Sequence, residues 1–238
     1  MRLRHIAIAV ALATTAVIGL PTTADAVTGT QIYAGTGWKA NTNRSIHSID
    51  PNRQYTITFS STTTKNLTSK YLTRAIPQLQ AAGVKINIGG VETVAEGTCP
   101  PRGHIWIQRK YRPLNGKPGY SRALPCHDTT NNSAWGGVVQ MDSEYYDGRW
   151  KMSTAGMWNA HVHEVLHVMG LNHPNYDKDR DGRVEDYECV ATSYGNRPIM
   201  CSPSGGYKTS TSMGKLVGFD VNGIKQLLAN YTLPAPTV

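Results

Sequence analysis

The stretch of sequence that decides the fold runs from residue 163 to residue 173 and reads His163-Glu164-Val165-Leu166-His167-Val168-Met169-Gly170-Leu171-Asn172-His173. Four residues of an α-helix advance by about 400°, so His163 and His167 leave the same face one turn apart. Two imidazoles at that spacing can hold one Zn²⁺, and Glu164 is near enough to reach a water on the metal. The stretch therefore predicts a helix that carries a zinc site and a general base.

Gly170 and His173 complete this prediction. Glycine adopts positive φ readily, so Gly170 can end the helix and reverse the chain, which brings His173 back as a third ligand. Three protein ligands leave the fourth position of zinc open to water, as in catalytic rather than structural sites. Two helical histidines also occur by chance at surfaces, but the glycine and the third histidine favour zinc here. His161 lies about 200° round the helix from His163 and is predicted to be structural.

Residues 163–173 resemble the zinc helix of the metzincin metallopeptidases. That clan has a methionine-containing turn beneath the metal, and Pro198-Ile199-Met200-Cys201 is the best match downstream. The resemblance implies the α+β class and the metzincin (zincin-like) fold, with a twisted mixed sheet, an active-site helix and a small C-terminal subdomain. It also implies that Glu164 is the catalytic general base. The implied zinc ligands are His163, His167 and His173.

Within this clan the chain is most similar to the matrixins. The tail from Leu216 to Leu228 resembles their C-terminal helix, with an acidic residue followed by Gly-Ile-x-x-Leu. The run from Gly137 to Asp142 resembles their edge strand, which receives the substrate by strand addition. The resemblance covers most of residues 51–233, but only the zinc motif is highly specific. A protein or peptide substrate lying along Gly137–Met141 is the expectation that follows.

The chain also departs from the matrixin pattern. No cysteine motif of a latency propeptide lies near its start, and Cys99-Pro100-Pro101-Arg102-Gly103 falls too late and in a changed order. Some metzincins have a tyrosine two residues after the turn methionine, where it assists the transition state. Ser202 occupies that position here, which leaves Tyr207 as a weaker candidate for the role.

A second structural zinc, as in matrixins, would need ligands outside the zinc helix. The candidates are His104, His127, Asp128 and Asp142. Histidines from separate loops are more often ordinary surface residues, so no second zinc is predicted from them.

Residues 177–188 match a twelve-residue EF-hand calcium loop position for position. Carboxylates occupy positions 1, 3, 5 and 12, glycine occupies position 6, and position 7 contributes its backbone carbonyl. The alternative is a solvated acidic turn, which the regular spacing disfavours. Pro174 precedes the loop and no second loop exists, so a structural Ca²⁺ site is predicted rather than a paired sensor. The predicted calcium residues are Asp177, Asp179, Asp181, Arg183 and Glu188.

The first 26 residues are predicted to be a secretory signal peptide. A basic start, Met1 to His5, precedes the apolar run Ile6–Leu20 and the small-residue site Ala24-Asp25-Ala26. The run is short and is followed by Pro21, so a membrane anchor is disfavoured, and no later stretch reaches the length of a membrane span. A secreted, extracellular protein without stable membrane insertion after cleavage is expected.

Four cysteines follow the predicted signal peptide, an even number that is typical of secreted disulfide proteins. Three pairings are open. Cys99–Cys126 and Cys189–Cys201 are favoured because each pair closes a local loop.

Periodicity and composition outline the remaining elements. Residues 27–50, rich in Thr, Asn, Gly and Ser, are predicted to be a linker or a short pro-segment, and residues 51–238 a single catalytic domain. Strands are predicted at 55–60, 84–88 and 104–108, helices at 68–82 and 153–169, and a loop at 110–133.

The function expected from these features is that of a secreted zinc-dependent metalloendopeptidase, in which a metal-activated water hydrolyses the peptide bond and Glu164 accepts its proton. A net charge of +8 is spread along the chain and does not indicate nucleic acid. A monomer is expected. Two alternatives stay open: a zinc- and calcium-stabilised binding module without turnover, and a zinc hydrolase of a non-peptide amide. Glu164 disfavours the first because zinc binding alone does not need that carboxylate.

Overall fold

The computed structural model describes residues 29–236, so the predicted signal peptide at residues 1–26 lies outside it. The strands in this range are β1 (Ala34–Gly35), β2 (Trp38–Ala40), β3 (Ser48–Ile49), β4 (Gln54–Phe59), β5 (Lys85–Val91), β6 (His104–Lys110), β7 (Arg122–Asp128), β8 (Ser133–Asp142) and β9 (Leu171–Asn172). The α-helices are α1 (Thr62–Thr68), α2 (Ala75–Ala81), α3 (Glu144–Asp147), α4 (Thr154–Val168) and α5 (Gly218–Asn230).

The main sheet is mixed and has the strand order β3-β8-β6-β4-β5, with β7 also paired to β8. The pairings within that order are parallel, whereas β7 runs antiparallel to β8. A smaller antiparallel sheet joins β1, β2 and β9. A mostly parallel sheet with separate helices confirms the predicted α+β class and the mixed sheet.

One face of the main sheet forms the hydrophobic core with the helices. Strand residues two apart point to the same face, and the register aligns Ile57 with Ile105 and Phe59 with Ile107. From α4, Val162 and Leu166 belong to the same fully buried cluster. Burial of this face against α4 fixes the position of α4, which carries His163 and His167, relative to the sheet.

The prediction of a loop over residues 110–133 is wrong in its second half, because residues 122–128 form β7. Pro125 and the surrounding Gly, Pro and Asn residues are typical of loops, which is why the strand was not predicted. Proline has no N–H to donate, and it is tolerated in β7 because, among the described strands, this one pairs with β8 alone. The run Gly137–Met141 is therefore not an edge strand, and the free edge beside it belongs to β7.

The single helix predicted at residues 68–82 is also wrong. The chain forms α1, a 3₁₀ turn at Ser69–Leu72, and then α2. The Ser61 hydroxyl accepts a hydrogen bond from the Thr64 amide at 3.1 Å and so starts α1 earlier than predicted. Pro77 lies in the first turn of α2, where its missing N–H costs nothing.

Residues 34–49 are not the linker that their polar composition predicts. Within them, β1 and β2 belong to the smaller sheet and β3 belongs to the main sheet. Trp38, Ile46 and Ile49 are buried. The side chain of Gln31 also donates hydrogen bonds to the Asn230 and Leu233 carbonyls, at 2.9 and 3.0 Å. This segment is integrated with the rest of the domain because its few apolar residues supply core contacts.

Both predicted disulfides are confirmed. Cys99 pairs with Cys126 and Cys189 pairs with Cys201, with Cα atoms 6.2 and 6.0 Å apart. Disulfides of this kind persist in oxidising compartments, which indicates an extracellular protein. None of the helices between residues 29 and 236 has the length and apolar character that crossing a bilayer requires.

Candidate metal centre

Helix α4 and the turn after it place the three predicted zinc ligands. The Ser153 hydroxyl caps the helix by accepting the Gly156 amide at 3.0 Å. At the other end, Gly170 adopts a φ of 102°, which confirms the predicted reversal. The short strand β9 follows, pairs with β2, and delivers His173 next to the helix.

The three imidazoles converge on one point. Nε2 of His173 lies 3.1 Å from Nε2 of His163 and 3.0 Å from Nε2 of His167. In a tetrahedral zinc site with Zn–N bonds near 2.05 Å, ligand nitrogens lie about 3.3 Å apart. The observed spacing therefore fits three nitrogen ligands on a single small cation.

Backbone carbonyls set the orientation of two of these rings. Nδ1 of His163 donates to the Ile199 carbonyl and Nδ1 of His167 donates to the Leu171 carbonyl, each at 2.8 Å. Because a carbonyl oxygen only accepts, Nδ1 carries the proton in both rings and the lone pair lies on Nε2. These carbonyls thus hold the rings in the tautomer that binds a metal.

Burial also keeps the ligands free of competing protons. Desolvation, together with His173, lowers the pKa of His163 to about 3. Desolvation and the two neighbouring imidazoles lower the pKa of His167 well below its usual value, and burial lowers that of His173. All three are neutral at pH 7 and able to bind a cation.

Glu164 lies between the ligands in sequence and has 9% of its surface exposed, on the wall of the cleft over the histidines. Desolvation raises the pKa of its carboxyl to about 8. A cation on the histidines favours the charged carboxylate and brings this pKa down. Such a carboxylate, buried but open to the cleft, can act as a general base.

The predicted methionine turn supports His163 from below. Met200 is buried, and the preceding residue, Ile199, supplies the carbonyl that orients the His163 ring. The buried Asp220 carboxylate, in the first turn of α5, accepts the amides of Ile199 and Met200 at 2.9 and 3.3 Å. Its desolvation raises the pKa to about 7. Asp220 thus fixes the turn that positions the His163 ring.

Asn159 connects α4 to the wall of the cleft. Its side-chain amide donates to the Gly205 and Tyr207 carbonyls at 2.9 and 3.0 Å, and its carbonyl accepts the Gly214 amide at 2.8 Å. The wall segment, which we define as residues 201–214, is therefore tied to the zinc helix. Tyr207 contributes a backbone carbonyl here and does not line the cleft, so its proposed transition-state role has no support.

Replacing Asn159 is expected to loosen the wall segment while leaving the metal ligands intact. Asn159→Ala leaves two carbonyls and one amide without buried partners, which costs roughly 2–3 kcal/mol of stability. We therefore expect a lower Tm. Lys208→Ala, an exposed side chain of the same segment, is the matched control and should keep the parent Tm. An unchanged Tm in Asn159→Ala would exclude this tie.

The metal centre lies in a cleft of about 660 Å³. The start of β7, α4 and residues 202–205 of the wall segment line this cleft. The Tyr145 hydroxyl donates to the Gly119 carbonyl at 2.9 Å and fixes the loop before β7. The three histidines and Glu164 line the same cleft.

The predicted calcium loop folds around its own carboxylates. Asp177 accepts the amides of Asp181 and Gly182 at 3.1 and 2.8 Å, and Glu188 accepts those of Lys178 and Glu185 at 3.1 and 2.8 Å. Carboxylate oxygens of Asp177, Asp179 and Glu188 lie within 4.8 Å of one another, as do those of Asp179, Asp181 and Glu185. The Arg183 amide donates to Asp181 at 2.8 Å.

The loop is connected to the methionine turn. The Tyr187 amide donates to the Ser202 carbonyl at 2.7 Å, and the Cys189–Cys201 disulfide joins the loop's end to the turn. The side-chain Oδ1 of Asn175 accepts a hydrogen bond from the Ser202 amide at 2.9 Å. Loosening of the loop would therefore be transmitted to the wall of the cleft.

Three of the four residues considered for a second zinc, Asp142, His104 and Asp128, bond to other groups. Asp142 accepts the amides of Arg112 and Gly119 at 3.2 and 2.8 Å. His104 bonds to Glu92 and Asp128 pairs with Arg102, at 2.7 and 2.8 Å. Within residues 29–236 these side chains do not gather into a ligand set.

His161 is fully buried and structural, as its position on the helix predicts. Its Nδ1 bonds to the Met157 carbonyl and its Nε2 to the Tyr146 hydroxyl, each at 2.6 Å, and Tyr71 stacks on its ring. It takes no part in the metal centre. Asp220 and Asn159 are the supporting residues that sequence reasoning missed. A single polar residue inside an apolar helical stripe was the available signal for each.

Comparisons with known proteins add little. No protein-family model matches this chain, and no curated protein matches it. Among solved structures, one chain from the GM1-bound form of the ECX AB5 holotoxin is similar at 13% sequence identity. The match covers 82% of this chain and 86% of that chain with a TM-score of 0.40. A TM-score this low supports no conclusion about fold or function.

Proposed function

We propose that the protein is a secreted zinc-dependent endopeptidase of the metzincin type. The observation that carries the proposal is the convergence of three Nε2 atoms in a cleft that the buried Glu164 also lines. A histidine triad would suffice for binding a metal. The carboxylate in the same cleft is what favours hydrolysis.

Zn²⁺ bound to the three histidines would supply a Lewis acid for the scissile carbonyl and would lower the pKa of water towards about 7. Glu164 accepts a proton from the attacking water and passes it to the nitrogen of the leaving amine. The Ile199 and Leu171 carbonyls keep two of the imidazoles in the metal-binding tautomer during this exchange. Asp220 keeps the Ile199 carbonyl in place.

The substrate is a protein or peptide that adds as a strand to the free edge of β7. The outer edge of a strand offers backbone amides and carbonyls to an extended chain, which gives affinity without demanding a particular sequence. Ala123 and Pro125 of β7 line the same cleft as the three histidines, which supports this placement. This replaces the Gly137–Met141 edge expected from the sequence.

The decisive experiment is digestion of a diverse, denatured peptide mixture by the purified zinc-loaded protein, with sequencing of the new termini. Cleavage of internal peptide bonds that stops with a zinc chelator and returns with zinc supports the endopeptidase. Zinc binding without new termini would instead favour the binding module. Hydrolysis of non-peptide amides alone, with peptides intact, would favour the other hydrolase.

A structural Ca²⁺ in the 177–188 loop is part of this proposal. Without a cation the carboxylates of Asp177, Asp179 and Glu188 repel one another at close range. Extracellular sites of this kind need only about 10⁻⁴–10⁻³ M affinity. Calcium would therefore stabilise the floor of the cleft through Tyr187 and the Cys189–Cys201 disulfide, outside the chemistry.

Adding calcium to calcium-stripped, zinc-loaded protein is expected to raise the Tm. A site filled a hundredfold above its Kd contributes about 2.7 kcal/mol, which corresponds to roughly 5–10 °C for a domain of this size. Asp181→Ala should remove this gain, and Asp186→Asn, an exposed carboxylate outside the ligand positions, should keep it. A Tm that stays unchanged on adding millimolar calcium would reject the site.

A further inference from the structure

We infer that the cleft selects peptides with acidic side chains close to the scissile bond. This inference rests on the proposed endopeptidase function and names its substrate class. Of the charged side chains that line the cleft, only Glu164 is acidic, whereas Arg44, Arg122 and Lys151 are basic. Because Glu164 is committed to the chemistry, the charges left to meet a substrate are all positive.

The three cations lie on different walls of the cleft. Arg122 begins β7, the strand that also contributes Ala123 and Pro125 to the cleft. Lys151 lies two residues before Ser153, the cap of α4. Arg44 ends a 3₁₀ turn that is attached to the opposite end of α4, because the Asn41 amide donates to the Gly170 carbonyl at 2.8 Å. Cations near both ends of α4 thus flank the three histidines.

These cations are available to a ligand. Within residues 29–236, neither a salt bridge nor a side-chain hydrogen bond engages Arg44, Arg122 or Lys151. In the loop before β7 and the sheet beside it, Arg112 and Lys110 are instead paired with carboxylates. The positive charge of the cleft is therefore not neutralised by neighbouring acids of the same chain.

The N-terminus of α4 adds to this field. Ser153 and Gly156 line the cleft next to Lys151, so the first turn of a fifteen-residue helix opens towards the ligand. The helix dipole places a partial positive charge at this end. This partial positive charge adds to that of the three cations and also favours a negatively charged ligand.

The acidic residues of the 177–188 loop do not neutralise the positive charge of the cleft. Its carboxylates at Asp177 and Glu188 are turned into the loop, where they accept the loop's own amides. From this loop only Tyr187 lines the cleft. A cation held there would neutralise the loop further.

Exposed charges at a cleft act mainly on encounter and weak binding, and salt screens them. We therefore expect an effect on kcat/KM that appears chiefly in KM. The test uses three quenched fluorogenic peptides built on one sequence that the enzyme cuts in the peptide mixture. Residues flanking the cut are Glu in the first, Gln in the second and Lys in the third.

At low salt, kcat/KM for the Glu peptide should exceed that for the Lys peptide by about tenfold or more, and 0.5 M NaCl should reduce this ratio to below about threefold. Arg122→Glu should narrow the ratio, because it lowers kcat/KM for the Glu peptide and raises it for the Lys peptide. A gain for one substrate cannot come from damage to the fold. Lys85→Glu, an exposed charge reversal on β5 outside the cleft, should keep the parent ratio.

Equal kcat/KM for the Glu and Lys peptides, or a preference for Lys, would overturn the inference while leaving the endopeptidase intact. A preference for Glu that survives Arg122→Glu, Arg44→Glu and Lys151→Glu unchanged would show that these cations do not cause it. Failure to cut any of the three peptides would count against the endopeptidase itself. Different outcomes of the peptide assays would therefore contradict the two proposals.

Discussion

Glu164→Gln is expected to reduce peptide hydrolysis by about 100-fold or more while the protein keeps its zinc and its Tm. The amide has nearly the shape of the carboxylate but cannot accept a proton from water, and loss of a general base removes roughly 10²–10⁴-fold. The His163 and His167 imidazoles do not depend on Glu164 for their orientation, because backbone carbonyls hold both rings. Glu164→Ala should lose activity to a similar degree.

The measurement is kcat on a peptide from the digestion mixture, with zinc determined by elemental analysis on the same samples. Glu96→Gln, at a carboxylate 82% exposed and outside the cleft, is the control and should retain the parent rate. If Glu164→Gln cleaved within tenfold of the parent enzyme while holding one zinc, Glu164 would not be the base.

His173→Ala is expected to remove most of the bound zinc and with it all measurable peptide hydrolysis. Two helical imidazoles would remain, and the Nε2 of His173 lies within 3.1 Å of both of theirs, so its loss opens the ligand set. Changes beyond the direct ligands cost 10–100-fold in metal affinity, and we expect more than about 100-fold for a ligand itself.

Zinc per folded molecule after dialysis at a fixed free zinc concentration checks this expectation. His127→Ala removes a histidine of β7 that lies outside the triad and should leave the zinc content at the parent value. Full zinc in His173→Ala would mean that another group, such as a carboxylate of the 177–188 loop, completes the site. A lower zinc content in His127→Ala would instead support a second zinc site that uses His127.

The ligand triad was accessible from sequence because its geometry is local. His163 and His167 share a helix turn, and Gly170 needs only a positive φ to bring His173 back within six residues of His167. Helical spacing and glycine's freedom at positive φ act over short stretches of chain. The disulfide pairs and the compact calcium loop were predicted for the same reason, because each closes a short segment.

Elements that depend on distant partners were missed. Strand β7 contains Pro125 and follows a loop of turn residues, so only its pairing with β8 makes it a strand. Residues 34–49 read as a linker because their strands are short and their core contacts lie far along the chain. β-Structure of this kind is decided by cross-strand neighbours more than by intrinsic preference.

The sequence by itself determined the histidine cluster of this protein, because the spacing of histidines and glycine acts within one helix and its turn. Tertiary structure alone decided that β7 rather than β8 is the edge strand and that Asn159 holds the wall segment. It also decided that Asp220 reaches back across 20 residues to the turn that orients His163. These contacts join residues that are distant in sequence, and packing of the whole chain selects them.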